Sequence, residues 1–390
     1  MGCRKSKILP VIDLQSTRLG SNVPLGQQVD NHFINIVSID YDSSPTIDDI
    51  ATITALLDTK TNQIDLRLLD ESAYSQTFRQ QRQNVIDNQM YREIIDSWRP
   101  TSIQQLVDNM KDLSKNKTTI EKAWVIFYWI ACNIEYDVIS YFSKNYADQS
   151  AEGVFRTRKG VCAGYGNLYK KLADNIGLPC ETCGGYSKGY SFELKQAKDK
   201  KETDHAWNVI EINNRSYLIE STWAAGSLDT SKHFEKEFNS YFFLSRPDEM
   251  IYHHLPEEDK FQLLSHPISH EQFLMLPKTY PAYFEHQIEV LYPKFTPTVT
   301  LLNGKSFTII MIKTPADVGI IADLKLNDTV VKGGERVQFD KSRRIYCCYF
   351  APQSVGFHKI MIYAKRKSTD GNIYSSARLV KILRIIMKSF

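Results

Sequence analysis

The sequence has no apolar stretch long enough to cross a bilayer as a helix: its longest wholly apolar run, Ala123 to Cys132, is about half of the ~20 residues a spanning helix needs. It also lacks an excess of charge of one sign. Lys and Arg number 48 against 45 Asp and Glu, a formal net charge of +3. The charges are interspersed, so no basic face of the kind that phosphate backbones require is expected, and nucleic acid is not an expected partner. No internal repeat and no long low-complexity tract is visible. Cysteine is sparse and irregular: Cys3, Cys132, Cys162, Cys180, Cys183, Cys347 and Cys348 make an odd set of seven. With no secretory signal pattern ahead of them, they are expected to be free thiols in a reducing compartment.

Metal-ligand patterns are also missing. Cys180-Glu181-Thr182-Cys183 has redox or zinc half-site spacing, but no second pair accompanies it. His253, His254, His266 and His270 come without a supporting carboxylate or cysteine pattern. The expectation is structural thiols, solvated loop histidines, no metal and no cofactor. Cys347 and Cys348, adjacent in a strand, should face opposite ways and pack.

What is present begins with Met1-Gly2-Cys3-Arg4-Lys5-Ser6, which fits the N-myristoylation pattern at Gly2 with Cys3 as a neighbouring palmitoylation site. One acyl chain binds marginally, and a second chain or a basic cluster makes anchoring stable; Arg4, Lys5 and Lys7 supply the latter. The expectation is a cytoplasmic protein held on the inner leaflet of a membrane. The rest of residues 1–99 mixes short apolar patches with polar stretches, Gln76 to Gln89 among them, and reads as a partly disordered tail or tether.

After Pro100 the pattern sharpens. Ser102 with Gln105 and Thr118 with Glu121 form helix starts, and the second opens a helix apolar almost all round, which must lie centrally. A third helix starts at Cys162: Tyr165, Leu168, Tyr169, Leu172, Ala173 and Ile176 recur at helical spacing until Gly177 and Pro179 stop it. Two alternating segments, His205 to Ile212 and Arg215 to Thr222, flank Asn213-Asn214, a two-residue hairpin turn. Beyond about Tyr280 short alternating runs with turn signals replace helices: 287–291, 298–302, 307–312, 318–326, 345–350, 357–364 and 376–383. They predict a β-sandwich of immunoglobulin-like size. The boundaries read as a core over 100–247, a linker over 248–281 and a sandwich over 282–390.

The chemistry gathers in the core. Cys162 stands at a helix N-terminus, where the macrodipole and free N–H groups stabilise a thiolate, and its own N–H can contribute to an oxyanion hole. Gly160, Gly164 and Gly166 around it would let a substrate backbone come close. A two-residue turn pairs 209 with 218 and 207 with 220, which sets Glu220 diagonally beside His205 on one sheet face. A base held by a carboxylate is what cysteine-histidine catalysis requires.

These residues, in order with Lys122-Ala123 through Trp129-Ile130, Tyr136-Asp137, Gly160-Val161-Cys162-Ala163-Gly164-Tyr165, Gly185-Tyr186-Ser187-Lys188-Gly189, His205-Ala206-Trp207-Asn208, Ser221-Thr222-Trp223 and Tyr241-Phe242-Phe243-Leu244, resemble the transglutaminase-like core of the kyphoscoliosis peptidase family. The resemblance runs over roughly residues 100 to 390. It implies an α+β, papain-like core followed by an immunoglobulin-like β-sandwich, with Cys162 as nucleophile, His205 as base and Glu220 where the family usually has aspartate. The implied activity is acyl transfer on a protein substrate. Water as acceptor would make a peptidase and a lysine amine a transglutaminase; a silent scaffold for cytoskeletal or adaptor proteins is the reading from another class. No carboxylate cluster resembles the calcium sites of classical transglutaminases.

Overall fold

The computed structural model describes residues 47–58, 63–229, 231–303, 305–367 and 378–387. Gly2 and Cys3 lie outside these residues. The chain divides into two compact units, one over Asp65–Phe273 and one that takes in the helix Ile47–Leu57 and the described residues from Leu274 onward.

The first unit is built around the helix Thr119–Asn133, in which every side chain from Ala123 to Ala131 is buried. Its start is a reciprocal capping box: the Thr118 hydroxyl accepts from the Glu121 N–H, and the Glu121 carboxylate accepts from the Thr118 N–H. Two orphan donors of the first turn are thereby satisfied. The helices Gln76–Ile86, Gln89–Ser97 and Ile103–Ser114 pack around it. On another side lies the helix Cys162–Asn175, tied on by tyrosine hydroxyls: Tyr165 donates to the Ile134 carbonyl at 2.9 Å and Tyr169 to the Ala123 carbonyl at 3.2 Å.

Against the helix Cys162–Asn175 lies a five-stranded antiparallel sheet in the order Phe243–Ser245, Arg215–Ile219, His205–Ile212, Cys180–Ser187, His254–Pro256. The hairpin register follows the sequence reading, with Val209 opposite Leu218. Asn213 and Asn214 both adopt positive φ, 53° and 60°, which a two-residue turn of the primed type requires. The ladder ends at Asn208 and Ile219, however, because the chain turns at Glu220 into the short helix Ser221–Ala225.

Two segments differ from the sequence expectation. Residues 71–97, read as part of a tail, are helical. Phe78 stacks on Tyr217 with centroids 4.5 Å apart, and Arg82 donates to the carbonyls of Phe243, Ser240 and Tyr241 at 2.6, 3.0 and 3.3 Å. The segment reads as polar because its large buried residues, Tyr74, Phe78, Val85, Ile86, Tyr91 and Ile95, are spread thinly over three short helices, with the Arg82 guanidinium as a further anchor. Residues 248–273, read as linker, supply the sheet's edge strand: Tyr186 pairs with Leu255 and Ser187 with His254.

The second unit has a four-stranded sheet in the order Glu289–Tyr292, Thr308–Lys313, Ile345–Phe350, Glu335–Asp340. A larger sheet runs Lys278–Thr279, Arg378–Met387, Gly356–Arg366, Val318–Leu326, Thr329–Val330, with Thr298–Val299 beside Arg378–Met387. Ile310, Ile312, Cys348 and Phe350 pack with Ile320, Leu324, Ile360 and Ile362 in one core. The alternate residues Ile309, Met311, Cys347 and Tyr349 pack with Ile53 of the helix Ile47–Leu57. Cys347 and Cys348 are thus buried on opposite faces.

Candidate active site

Cys162 is the first residue of its helix, and the chain before it is held by Gln149, whose side-chain oxygen accepts from the Val161 N–H at 2.9 Å. Gly164 makes room for this: a Cβ there would come within 2.5 Å of Gln149 Oε1 and 2.7 Å of Val154. Gly166 faces Thr182 and Asn208. Gly164 serves the protein's own packing, where the sequence reading gave its space to substrate; at Gly166 a Cβ would meet only ordinary contacts, the nearest 3.5 Å away at Thr182. The two-residue strand Glu135–Tyr136 runs parallel to Lys159–Gly160, with Tyr136 opposite Gly160.

His205 opens its strand, buried between Trp207 and Trp223, with ring centroids 5.9 and 5.6 Å away. Its Nε2 is hydrogen-bonded to Glu220 Oε2, leaving Nδ1 as the ring nitrogen that serves Cys162. Glu220 is fully buried. It reaches His205 from the N-cap of the Ser221–Ala225 helix, not from a strand pair, and its other oxygen, Oε1, accepts from the N–H groups of Thr222 and Trp223 at 2.6 and 3.1 Å. One carboxylate therefore caps a helix and orients an imidazole, which gives its side chain a single conformation to occupy.

Electrostatics act on the three groups together. Burial pushes the Cys162 thiol up, but the charge and hydrogen bond of His205, with an N–H from Ala206, outweigh it and hold the thiol below its ordinary value. Burial pushes His205 down, and the neighbouring Glu220 carboxylate and Cys162 sulfur reverse this, raising the imidazole well above its ordinary value. Burial likewise opposes ionisation of Glu220, yet the charge and hydrogen bond of His205, helped by His254, hold it well below the usual carboxylate range. The directions describe a thiolate, an imidazolium and a carboxylate in a row, which is the ionic form a cysteine nucleophile needs before substrate arrives.

A fourth residue belongs to the group. His254, read from the sequence as a solvated loop histidine, is 1% exposed and donates from Nε2 to Glu220 Oε2 at 3.1 Å. Its ring lies 4.3 Å from Trp223 and 5.0 Å from His205, centroid to centroid. Burial lowers it to about 4, so it is neutral at ordinary pH. No spacing signal marks it; the edge strand His254–Pro256 brings it in from across the sheet. The donor atoms of His205, Glu220 and His254 lie within 4.8 Å of one another, a set of metal-binding type. Both imidazoles hydrogen-bond Glu220 Oε2, and His205 is also engaged by Cys162. Cys180 and Cys183, by contrast, are buried strand residues, and burial pushes the Cys180 thiol up to about 12.

Comparison with known proteins agrees with the fold. The family described as the transglutaminase-like superfamily matches residues 104–220, and the family described as KY-like, immunoglobulin-like domain matches residues 270–384. The chain carries a transglutaminase-like core followed by a KY-like, immunoglobulin-like domain. It is 29% identical to human kyphoscoliosis peptidase over 280 residues, 71% of this chain and 40% of that protein. Over 181 residues it is 27% identical to hillarin of Drosophila melanogaster, covering 43% and 22% of the two chains. Cytokinesis protein 3 of Schizosaccharomyces pombe matches at 26% over 157 residues, 40% and 17% respectively. The chain thus spans about two fifths of the length of kyphoscoliosis peptidase. Cys162, His205 and Glu220 all fall inside the transglutaminase-like match, whereas His254 falls between the two matched regions.

Proposed function

We propose that this chain performs cysteine-dependent acyl transfer on protein amides, with water as acceptor. The observation that carries the reading is the row of half-buried Cys162 with buried His205 and Glu220, in which the thiol is lowered and the imidazole raised. The Cys162 thiolate attacks the amide carbonyl carbon, and the oxyanion accepts from the Cys162 N–H at the helix start. His205 passes its proton to the departing amine as the C–N bond breaks, leaving a thioester. It then takes a proton from water as water attacks, and the acid leaves with the thiolate restored. Glu220 keeps the proton of His205 Nε2 in place throughout. The lowered thiol and raised imidazole support catalysis over a silent scaffold.

Water as acceptor follows the likeness to a protein named as a peptidase. The test is mass spectrometry of a proteome digested with the full chain and with Cys162→Ala. New chain ends that vanish in the variant support the reading; isopeptide products would move it to a transglutaminase, and identical digests would overturn catalysis. Membrane attachment through acylated Gly2 and Cys3 is the second part of the proposal. Gly2→Ala should move the protein to the soluble fraction, and an unchanged membrane fraction would overturn it.

A further inference from the structure

Around Cys162 the first unit exposes aromatic surface that its core does not use. Six large apolar side chains are exposed among the described residues of that unit: Leu69, Met90, Ile139, Phe142, Tyr146 and Tyr190. The last four come from two segments, 139–146 and 190, which the fold brings to one place. The Phe142 and Tyr190 rings meet edge to face at 6.1 Å, Tyr141 lies 5.1 Å from Phe142, and the Tyr141 hydroxyl bonds Ser191 Oγ at 2.9 Å.

This surface is linked to the Cys162–His205 pair from two directions. Tyr141 lies 5.7 Å from Tyr136, which stands opposite Gly160, two residues before Cys162. From the other side Gly189, the neighbour of Tyr190, packs so closely on Trp223 that a Cβ would lie 3.3 Å from its ring, and Trp223 borders His205. Two cations edge the strip. The Lys144 ammonium stands 4.5 Å from the Tyr141 ring centre and that of Lys232 4.7 Å from the Phe142 ring centre. Both rest on ring faces and not on a carboxylate among the described residues.

We propose that this strip is the acyl-donor site, and that it takes an extended protein segment bearing an aromatic or large aliphatic side chain with acidic residues beside it. The inference rests on the acyl-transfer reading and names its substrate class. Exposed aromatic rings bordering a nucleophile gain by covering apolar surface, and two ammonium groups at the rim select the charge of what covers them.

The test uses short peptides ending in a chloroacetyl group, from which the Cys162 thiolate displaces chloride as the C–S bond forms. Labelling rates of Cys162 in the full chain are compared for an Asp-Phe-Asp peptide, an Asp-Ser-Asp peptide and a Lys-Phe-Lys peptide, with iodoacetamide as the reagent that needs no binding. The Phe peptide should label roughly tenfold faster than the Ser peptide, and faster than the lysine peptide. Phe142→Ser with Tyr190→Ser should abolish the first preference, and Lys144→Glu with Lys232→Glu should reverse the second, while the iodoacetamide rate holds. Equal rates for all peptides in the wild-type chain would overturn the substrate class alone. An iodoacetamide rate no faster than that of an ordinary thiol would overturn the acyl-transfer reading instead. A preference that disappears as protein concentration rises would assign the strip to a second copy of the chain, against the proposal.

Discussion

At the scale of single residues, the site turns on how buried charges are partnered. A thiol with an ordinary value near 8.5 carries little thiolate at pH 6, but Cys162 is lowered by His205 whereas Cys180 and Cys348 are raised by burial. Alkylation at pH 6 followed by peptide mapping should find Cys162 modified at least tenfold faster than Cys180 or Cys347; comparable rates would count against the ionised pair. Glu220→Gln is the sharper probe. Gln keeps an oxygen to cap the Ser221–Ala225 helix but turns an NH₂ toward the Nε2–H groups of His205 and His254, donor against donor. Loss of the equivalent orienting carboxylate costs serine proteases about 10⁴ in turnover, and breaking a buried charge pair costs about 3–5 kcal/mol. The variant should lose most activity, and urea unfolding should register a loss of that order. Full activity in the variant would mean that another group orients His205.

At the scale of elements, the surprises are segments whose anchors are few and specific. The helix Gln76–Ile86 carries only Phe78, Val85 and Ile86 buried, too little for an amphipathic stripe, and is fastened by Arg82. Arg82→Ala leaves carbonyls of Phe243, Ser240 and Tyr241 without that donor and should lower stability by about 1–3 kcal/mol. In the second unit Ile53 is fully buried against Ile309, Met311 and Tyr349. Ile53→Ala should cost about 2–5 kcal/mol. Wild-type unfolding midpoints in these two variants would return both segments to the status of tails. The strand Glu335–Asp340 went unread for a related reason: Glu335, Arg336 and Asp340 interrupt its apolar alternation.

At the scale of the whole molecule, the site makes stability depend on pH. The folded value of His254 is depressed to about 4 from an ordinary 6.5, so the unfolded chain binds its proton more readily and stability rises with pH between those values. His205 has the opposite sign, because its folded value is raised: its contribution is complete below about 6.5 and is lost as pH climbs through the raised value. Glu220, held low, contributes fully above about 4.3 and loses its contribution as pH falls through its folded value. Together these place the stability maximum of the cluster near pH 6.5. His254→Gln keeps an N–H for Glu220 and removes the titration, so the wild-type deficit at pH 4 relative to pH 6.5 should shrink by on the order of 3 kcal/mol. Parallel stability curves for the two proteins would show that His254 does not titrate with folding.

The sequence by itself determined whatever is local and periodic. The capping box at Thr118, the stripe of the helix Cys162–Asn175, the Asn213-Asn214 turn with its register and the opposite faces of Cys347 and Cys348 all follow from repeats of 3.6 or 2 and from turn chemistry, within a few residues of each other. That is why Cys162, His205 and Glu220 could be named together. The tertiary structure decided what depends on chain brought from afar. Glu220 meets His205 because the strand breaks into a helix whose N-cap needs a carboxylate. His254 joins them because 34 residues later the chain returns as an edge strand, and neither event leaves a period in the sequence. A buried imidazole and a solvated one are the same letter; only the packing of Trp207, Trp223 and Glu220 around it makes His254 part of the site.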